Sequence, residues 1–95
     1  MARAPVVDID VSEVRSVLSL HHILRDSLGF PSWYGCNWDA FWDAITGLVE
    51  MPLHLRISGW EAVVTRLPND AQIMQKCLAD MVEEYPELAS EVELA

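Results

Sequence analysis

Asp39 and Asp43 stand four residues apart with no Lys or Arg nearby, among Trp33, Tyr34, Trp38 and Trp42. Two carboxylates in a cleft can act as general acid and general base. On a helix, however, a spacing of four puts both on one wall, whereas acid–base work on a bond needs them on opposite sides of the substrate. The other reactive residues supply no better centre. His21 and His22 are adjacent, so on a helix they point to different sides and cannot share an ion as an i,i+4 pair does; His54 sits in a stretch that alternates as a strand. Cys36 and Cys77 fit neither a zinc spacing nor a disulfide framework. With no nucleophile, phosphate loop or basic partner for the carboxylates, a hydrolase reading fails. The chain is expected not to be an enzyme and to need no cofactor or metal.

What the aspartates can do is present negative charge. Six Lys and Arg against fifteen Asp and Glu give a net charge of −9. That balance argues against nucleic acid as a direct partner, because phosphate binding needs a basic face, and it favours a basic protein whose approach the field would steer. Between Arg25 and Arg56 there is no Lys or Arg, only Asp26, Asp39, Asp43 and Glu50 with His54; from Cys77 onward come Asp80, Glu83, Glu84, Glu87, Glu91 and Glu93, again without a basic residue.

The elements around the aspartates follow from local rules. Pro31 discourages helix at Phe30, Gly35 permits a positive φ, and Asn37 is a good N-cap, so a turn leads into a helix from Trp38. Gly47 should close that helix as its C′ residue, with Pro52 preventing continuation. Trp38, Phe41, Ile45 and Leu48 form a core stripe; Asp39, Asp43 and Thr46 lie on the far side, with Trp42 at the border. Trp33, Tyr34 and Trp42 then flank the carboxylates as partly exposed anchors, and Trp60 belongs to the core.

At 95 residues the chain is expected to be one domain, 1–95, with enough hydrophobic residues, 52%, for a core. Val6, Val7, Ile9 and Val11, interrupted by Asp8 and Asp10, read as a strand. Ser16 or Ser19 caps a helix carrying Leu20, Ile23, Leu24 and Leu28 up to Gly29. Leu53, Leu55 and Ile57 alternate as a second strand ended by Gly59. A short helix follows over residues 60–67, then a turn at Pro68, Asn69 and Asp70 that caps a longer helix. Its inward residues are Ile73, Cys77, Leu78, Met81 and Val82, and Pro86 ends it. Val92 and Leu94, alternating with Glu91 and Glu93, read as a short third strand. Strands alternating with helices predict an α/β fold: a small three-stranded parallel sheet flanked by helices. Residues 1–7 have no apolar leader region and no apolar run approaches a membrane span. A reduced, cytoplasmic protein is expected.

The run Pro31-Ser32-Trp33-Tyr34-Gly35-Cys36-Asn37-Trp38-Asp39-Ala40-Phe41-Trp42-Asp43, continuing into Thr46-Gly47, resembles the signature of the barstar family of ribonuclease inhibitors. Leu20-His21 and Leu24 precede it at the family's offset, and Pro52-Leu53 follows where the family's second strand begins. The resemblance implies three parallel strands with the recognition helix and its preceding loop on one side. It also implies a function, that of an immunity protein or antitoxin forming a one-to-one complex with a basic microbial ribonuclease. Asp43 matches the carboxylate that enters the nuclease's phosphate site, and Asp39 matches its partner one turn earlier. Gly35 and Asn37 match the loop before the helix, Trp42 an aromatic at the interface edge, and Thr46 and Gly47 the far end of the surface.

Tyr34, Leu48, Asp80 and Glu83 are further candidate contacts, and His21 matches a family position that would brace the loop. Trp33 stands where the best-known member has a tyrosine, Leu48 where it has a tryptophan and Cys36 where it has a polar residue, which points to a target that differs at its rim. The free protein is expected to be a monomer. The competing reading keeps the fold but makes the acidic face a docking module for a basic protein that is not a nuclease.

Overall fold

A computed structural model describes residues 3–95; residues 1 and 2 of the expected domain lie outside the described residues. The elements are β1 (Val6–Asp10), α1 (Val17–Leu28), α2 (Trp38–Asp43) running directly into a π-helical turn (Ala44–Leu48), β2 (His54–Ser58), α3 (Trp60–Arg66), α4 (Pro68–Glu84) and β3 (Glu91–Leu94). The three strands form one parallel sheet in the order β1-β2-β3, with Ile9 opposite Ile57 and Leu55 opposite Val92. The α/β expectation holds, including the short third strand at the tail.

Alternation along the strands sorts the sheet into two faces. Ile9, Leu55 and Ile57 are buried and pack with Leu20, Leu24, Phe41, Ile45, Met74 and Met81 from the helices. The other face carries Asp8, Asp10, His54, Arg56, Glu91 and Glu93 to solvent, with a cross-strand ion pair Arg56–Glu93 at 3.1 Å and a His54–Glu91 contact at 3.4 Å. One face is therefore core and the other a ladder of charges. Leu53, expected to point inward, is exposed because the strand begins one residue after it.

Ser16 caps α1 in a reciprocal arrangement with Ser19, and Gly29 ends it in the left-handed region at φ 74°. Gly59, also at φ 74°, lets β2 turn into α3 so close to the chain at Ser12 that a Cβ would sit 2.6 Å from the Ser12 backbone.

Two helix expectations need correction. Residues 68–70 do not form a turn that caps α4: Pro68 is already its first residue, where a missing N–H costs nothing, and no side chain caps it. The buried stripe of α4 is Ala71, Met74, Leu78 and Met81, while Ile73 and Val82 are 42% and 51% exposed. The small Ala71 lets the helix lie close along that line. Ile73 is thereby turned toward the space between α4 and α2.

Candidate protein-binding face

The loop before α2 is fixed from beneath. Tyr34 donates its backbone N–H to the Pro31 carbonyl at 3.0 Å and turns its ring inward, 6% exposed, with its hydroxyl 2.7 Å from Nδ1 of the fully buried His21. Tyr34 is thus a buried brace, not the partly exposed anchor expected of it. His21 packs between the rings of Tyr34 and Trp38, at centroid distances of 5.6 and 4.4 Å. A neutral imidazole can pair with the tyrosine oxygen through Nδ1–H, the tyrosine O–H then pointing to the Asn37 carbonyl 3.5 Å away. Nε2 has no partner, so a second ring proton would be buried without an acceptor. Burial accordingly pushes the His21 pKa down, against an opposing contribution from Asp70, and pushes that of Tyr34 up. The expected bracing role of His21 is what the geometry provides.

The loop's positive φ falls on Cys36, at 53°, and not on Gly35 as expected. At Gly35 a Cβ would make a close contact, 3.3 Å from Asn37 Nδ2 and 3.4 Å from the Ala40 side chain, so a larger residue there would press on the Asn37 cap. Asn37 caps α2 as expected, its Oδ1 accepting the Ala40 N–H at 2.7 Å. Trp38, half-buried, donates Nε1–H to Asp70 Oδ1 at 2.8 Å, tying the start of α2 to the first turn of α4. The helix is held at its cap, beneath its loop and along its side before any partner arrives.

The outward face carries Asp39 and Asp43, both exposed, over a cleft of about 520 Å³ between α2 and α4. Trp42, half-buried and packed 6.3 Å from the Tyr85 ring, lines it with Ile73, Cys77, Asp80 and Glu84. Lys76 is the one basic lining residue, and its Nζ is 3.0 Å from Asp80. Burial, with Asp80 and Asp39 nearby, raises the Cys77 thiol pKa, so this cysteine is a poor nucleophile. Cys36 and Cys77 are both free. Of the later-helix candidates, Asp80 lines the cleft and Glu83 does not; Glu84, which the sequence reading did not name, lines it too. The clue in the sequence was the spacing of four from Asp80 to Glu84, the same as that from Asp39 to Asp43.

Gly47 does not end the helix as a left-handed C′ residue. After Asp43 the ladder widens: Val49 donates to the Ala44 carbonyl at 3.2 Å, and the Thr46 hydroxyl bonds back to the Trp42 carbonyl at 2.6 Å. A π turn holds one more residue than an α turn, so positions after it drop out of the α stripe. Leu48, expected in the core with Phe41 and Ile45, is consequently 45% exposed beside Gly47. In the loop before α2, Trp33 is 71% exposed. Asp39, Trp42 and Asp43 line the α2–α4 cleft, and Thr46, Gly47 and Leu48 line a second cleft beyond the end of α2.

An acidic wall with aromatic edges is the kind of surface that binds a basic protein. The chain belongs to the barstar family: the family described as "Barstar (barnase inhibitor)" matches residues 4–94. Its members are inhibitors and not enzymes, which answers the question of catalysis posed by the paired aspartates. The protein named "Putative ribonuclease inhibitor YrdF" of Bacillus subtilis (strain 168) is 37% identical over 81 residues, covering 81% of this chain and 89% of that protein.

Proposed function

We propose that this protein inhibits a basic microbial ribonuclease by seating the α2 face in the nuclease's active site, where Asp43 and Asp39 substitute for RNA phosphate. The observation that carries this reading is the cleft in which Asp39, Asp43, Asp80 and Glu84 face a single ammonium, that of Lys76. An RNA-cleaving site is lined with cations that hold phosphate, and carboxylates fixed on a braced helix meet them without reorganising. Trp33 and Trp42 supply aromatic anchors at the two sides of the charged strip, and Gly35, Asn37, Thr46 and Gly47 keep the backbone close to the partner surface. The complex is one-to-one, and the inhibitor acts in the cytoplasm as an antitoxin, made beside the nuclease it neutralises.

The test is calorimetric titration of this protein into a panel of basic microbial ribonucleases, including any encoded beside it, with RNA cleavage followed in the same samples. Stoichiometric binding with loss of cleavage is the expected result. Folded protein that binds none of the panel, but captures a basic protein without nuclease activity, would replace this reading with the docking one.

A further inference from the structure

Arg3 lies one residue before the part of the chain matched by the family. Its guanidinium reaches across the fold to two distant segments. Nε–H donates to the Met51 carbonyl at 2.7 Å, and Nη2 donates to the carbonyls of Pro52 at 3.0 Å, Leu88 at 3.1 Å and Ala89 at 2.9 Å; Nη1 donates to Glu87 at 3.2 Å. Every acceptor is a backbone carbonyl, although the chain offers many carboxylates. The grouping has a physical cause. Leu88 and Ala89 both donate to the Tyr85 carbonyl, so residues 85–89 form a tight turn, and three successive carbonyls converge at its end, as at a helix C-terminus. A planar fork of fixed donors suits such a cluster, whereas a lysine ammonium, with three donors, cannot span it.

The second segment that Arg3 holds, Met51 and Pro52, leads directly out of the π turn. Arg3 also lines a cleft of about 450 Å³ with Ile45, Thr46, Gly47, Leu48 and Leu88. The near end of the recognition helix has its own local braces in Asn37, His21 and Trp38. The far end has the Thr46 back-bond within the turn. The chain that leaves it is tied to the rest of the molecule by buried Met51, by the Ser90 hydroxyl donating to the Pro52 carbonyl at 2.6 Å, and through Arg3. Among the described residues, Arg3 alone joins both Met51 and Pro52 to the turn at residues 85–89. We infer that Arg3 is a positioning residue for the far end of the binding face, fixing the exit of the π turn and with it the presentation of Thr46, Gly47 and Leu48 to the nuclease. Its effect on affinity rests on the proposed function; its effect on the turn does not.

The test uses Arg3→Gln, which keeps much of the stem and removes the fork, and Arg3→Lys. In the free full-length protein, amide exchange at Val49, whose N–H closes the π turn, should accelerate relative to that at Ala40, whose N–H is held by the Asn37 cap. Against the nuclease, Arg3→Gln should weaken binding by about fivefold to fiftyfold, mainly through faster dissociation, with little rescue by Arg3→Lys. In double-mutant cycles the loss should be non-additive with Leu48→Ala and additive with Trp33→Ala, a pattern that a general loss of stability does not produce. Equal acceleration at Val49 and Ala40, or equal coupling to Leu48 and Trp33, would reduce Arg3 to a general staple and overturn the inference. If no nuclease binds the wild type, the functional reading fails, and the exchange experiment still decides the role of Arg3 in the turn.

Discussion

The open face of the sheet and the α2–α4 cleft are both rich in acid, but they hold it differently. On the sheet, Glu93 lies against Arg56 and Glu91 against His54, and the Asp10 carboxylate accepts the Ser12 N–H. In the cleft, Asp39, Asp43 and Glu84 have no ion-pair partner among the described residues, and only Asp80 is paired. The sheet arrangement relieves like-charge repulsion within the fold; the cleft leaves it in place on a helix whose position is over-determined. Charge that folding does not use, held on rigid backbone, is what an electrostatic recognition site requires. Net composition alone would have rated the two regions alike.

The largest expected effect separates them by mutation. Asp43→Ala should cost about 2 to 5 kcal/mol of nuclease binding, because it leaves cations of the partner buried without a counter-charge. Folding should be intact or slightly improved, since the repulsion between Asp43 and Asp39 is removed. Glu93→Ala on the sheet should change binding by no more than about 0.5 kcal/mol. Calorimetry with thermal unfolding of both variants checks this. A loss of stability in Asp43→Ala, or equal binding losses in the two variants, would erase the distinction.

The cleft side should also be the more acid-sensitive. Burial holds the His21 pKa below its ordinary value, so as pH falls through about 6.5 the unfolded chain takes up a proton that the folded chain refuses. The stabilisation from a neutral His21 is complete above that pH and is lost as pH falls, at no more than about 1.4 kcal/mol per pH unit, until the folded-state pKa is reached. Denaturant unfolding between pH 5 and 8 should show this slope in the wild type and a smaller one in His21→Asn. NMR titration of the His21 ring locates the folded-state midpoint. An unchanged slope in the variant would mean that the loop is not braced through a neutral imidazole.

How much of this could be read in the chain follows from which interactions are local. The strands, the Ser16 and Asn37 caps and the Gly29 stop are set by neighbours within a few residues, and each appears where its residues predict except that Leu53 falls just before its strand. The α2 wall of the cleft, with Asp39, Trp42 and Asp43, was legible because its residues lie within one short segment. Tyr34 was misjudged because aromatic type does not say which way a ring turns; its partner is His21, thirteen residues away. The α4 stripe was misjudged because two apolar lines compete on that helix and Ala71 carries little weight in a pattern. The π turn was invisible: Gly47 looks like a C′ residue, and only the re-phased hydrogen bonds turn Leu48 outward.

Cys36 sharpens the comparison further, for it puts backbone strain in the loop before α2. A Cβ-bearing residue at φ 53° has a penalty that glycine lacks, so Cys36→Gly should raise stability by about 0.5 to 1 kcal/mol, net of glycine's greater unfolded-state entropy. Chemical denaturation measures it. No gain would indicate that the Cys36 thiol, 3.7 Å from the Tyr34 carbonyl, offsets the strain.

The smallest effect concerns Lys76, the cleft's one basic residue. Its bond to Asp80 raises its pKa, so it stays charged across the physiological range and partly neutralises the patch. If the cleft's uncompensated charge steers association, removing this ammonium should quicken the encounter rather than slow it. Lys76→Met is expected to raise the association rate by about twofold at low salt, with the difference shrinking as salt is added and dissociation scarcely changed. Stopped-flow association over a range of ionic strengths resolves a change of that size. A slower association would mean that the Lys76–Asp80 pair orders the cleft wall and that geometry, more than field, limits the encounter.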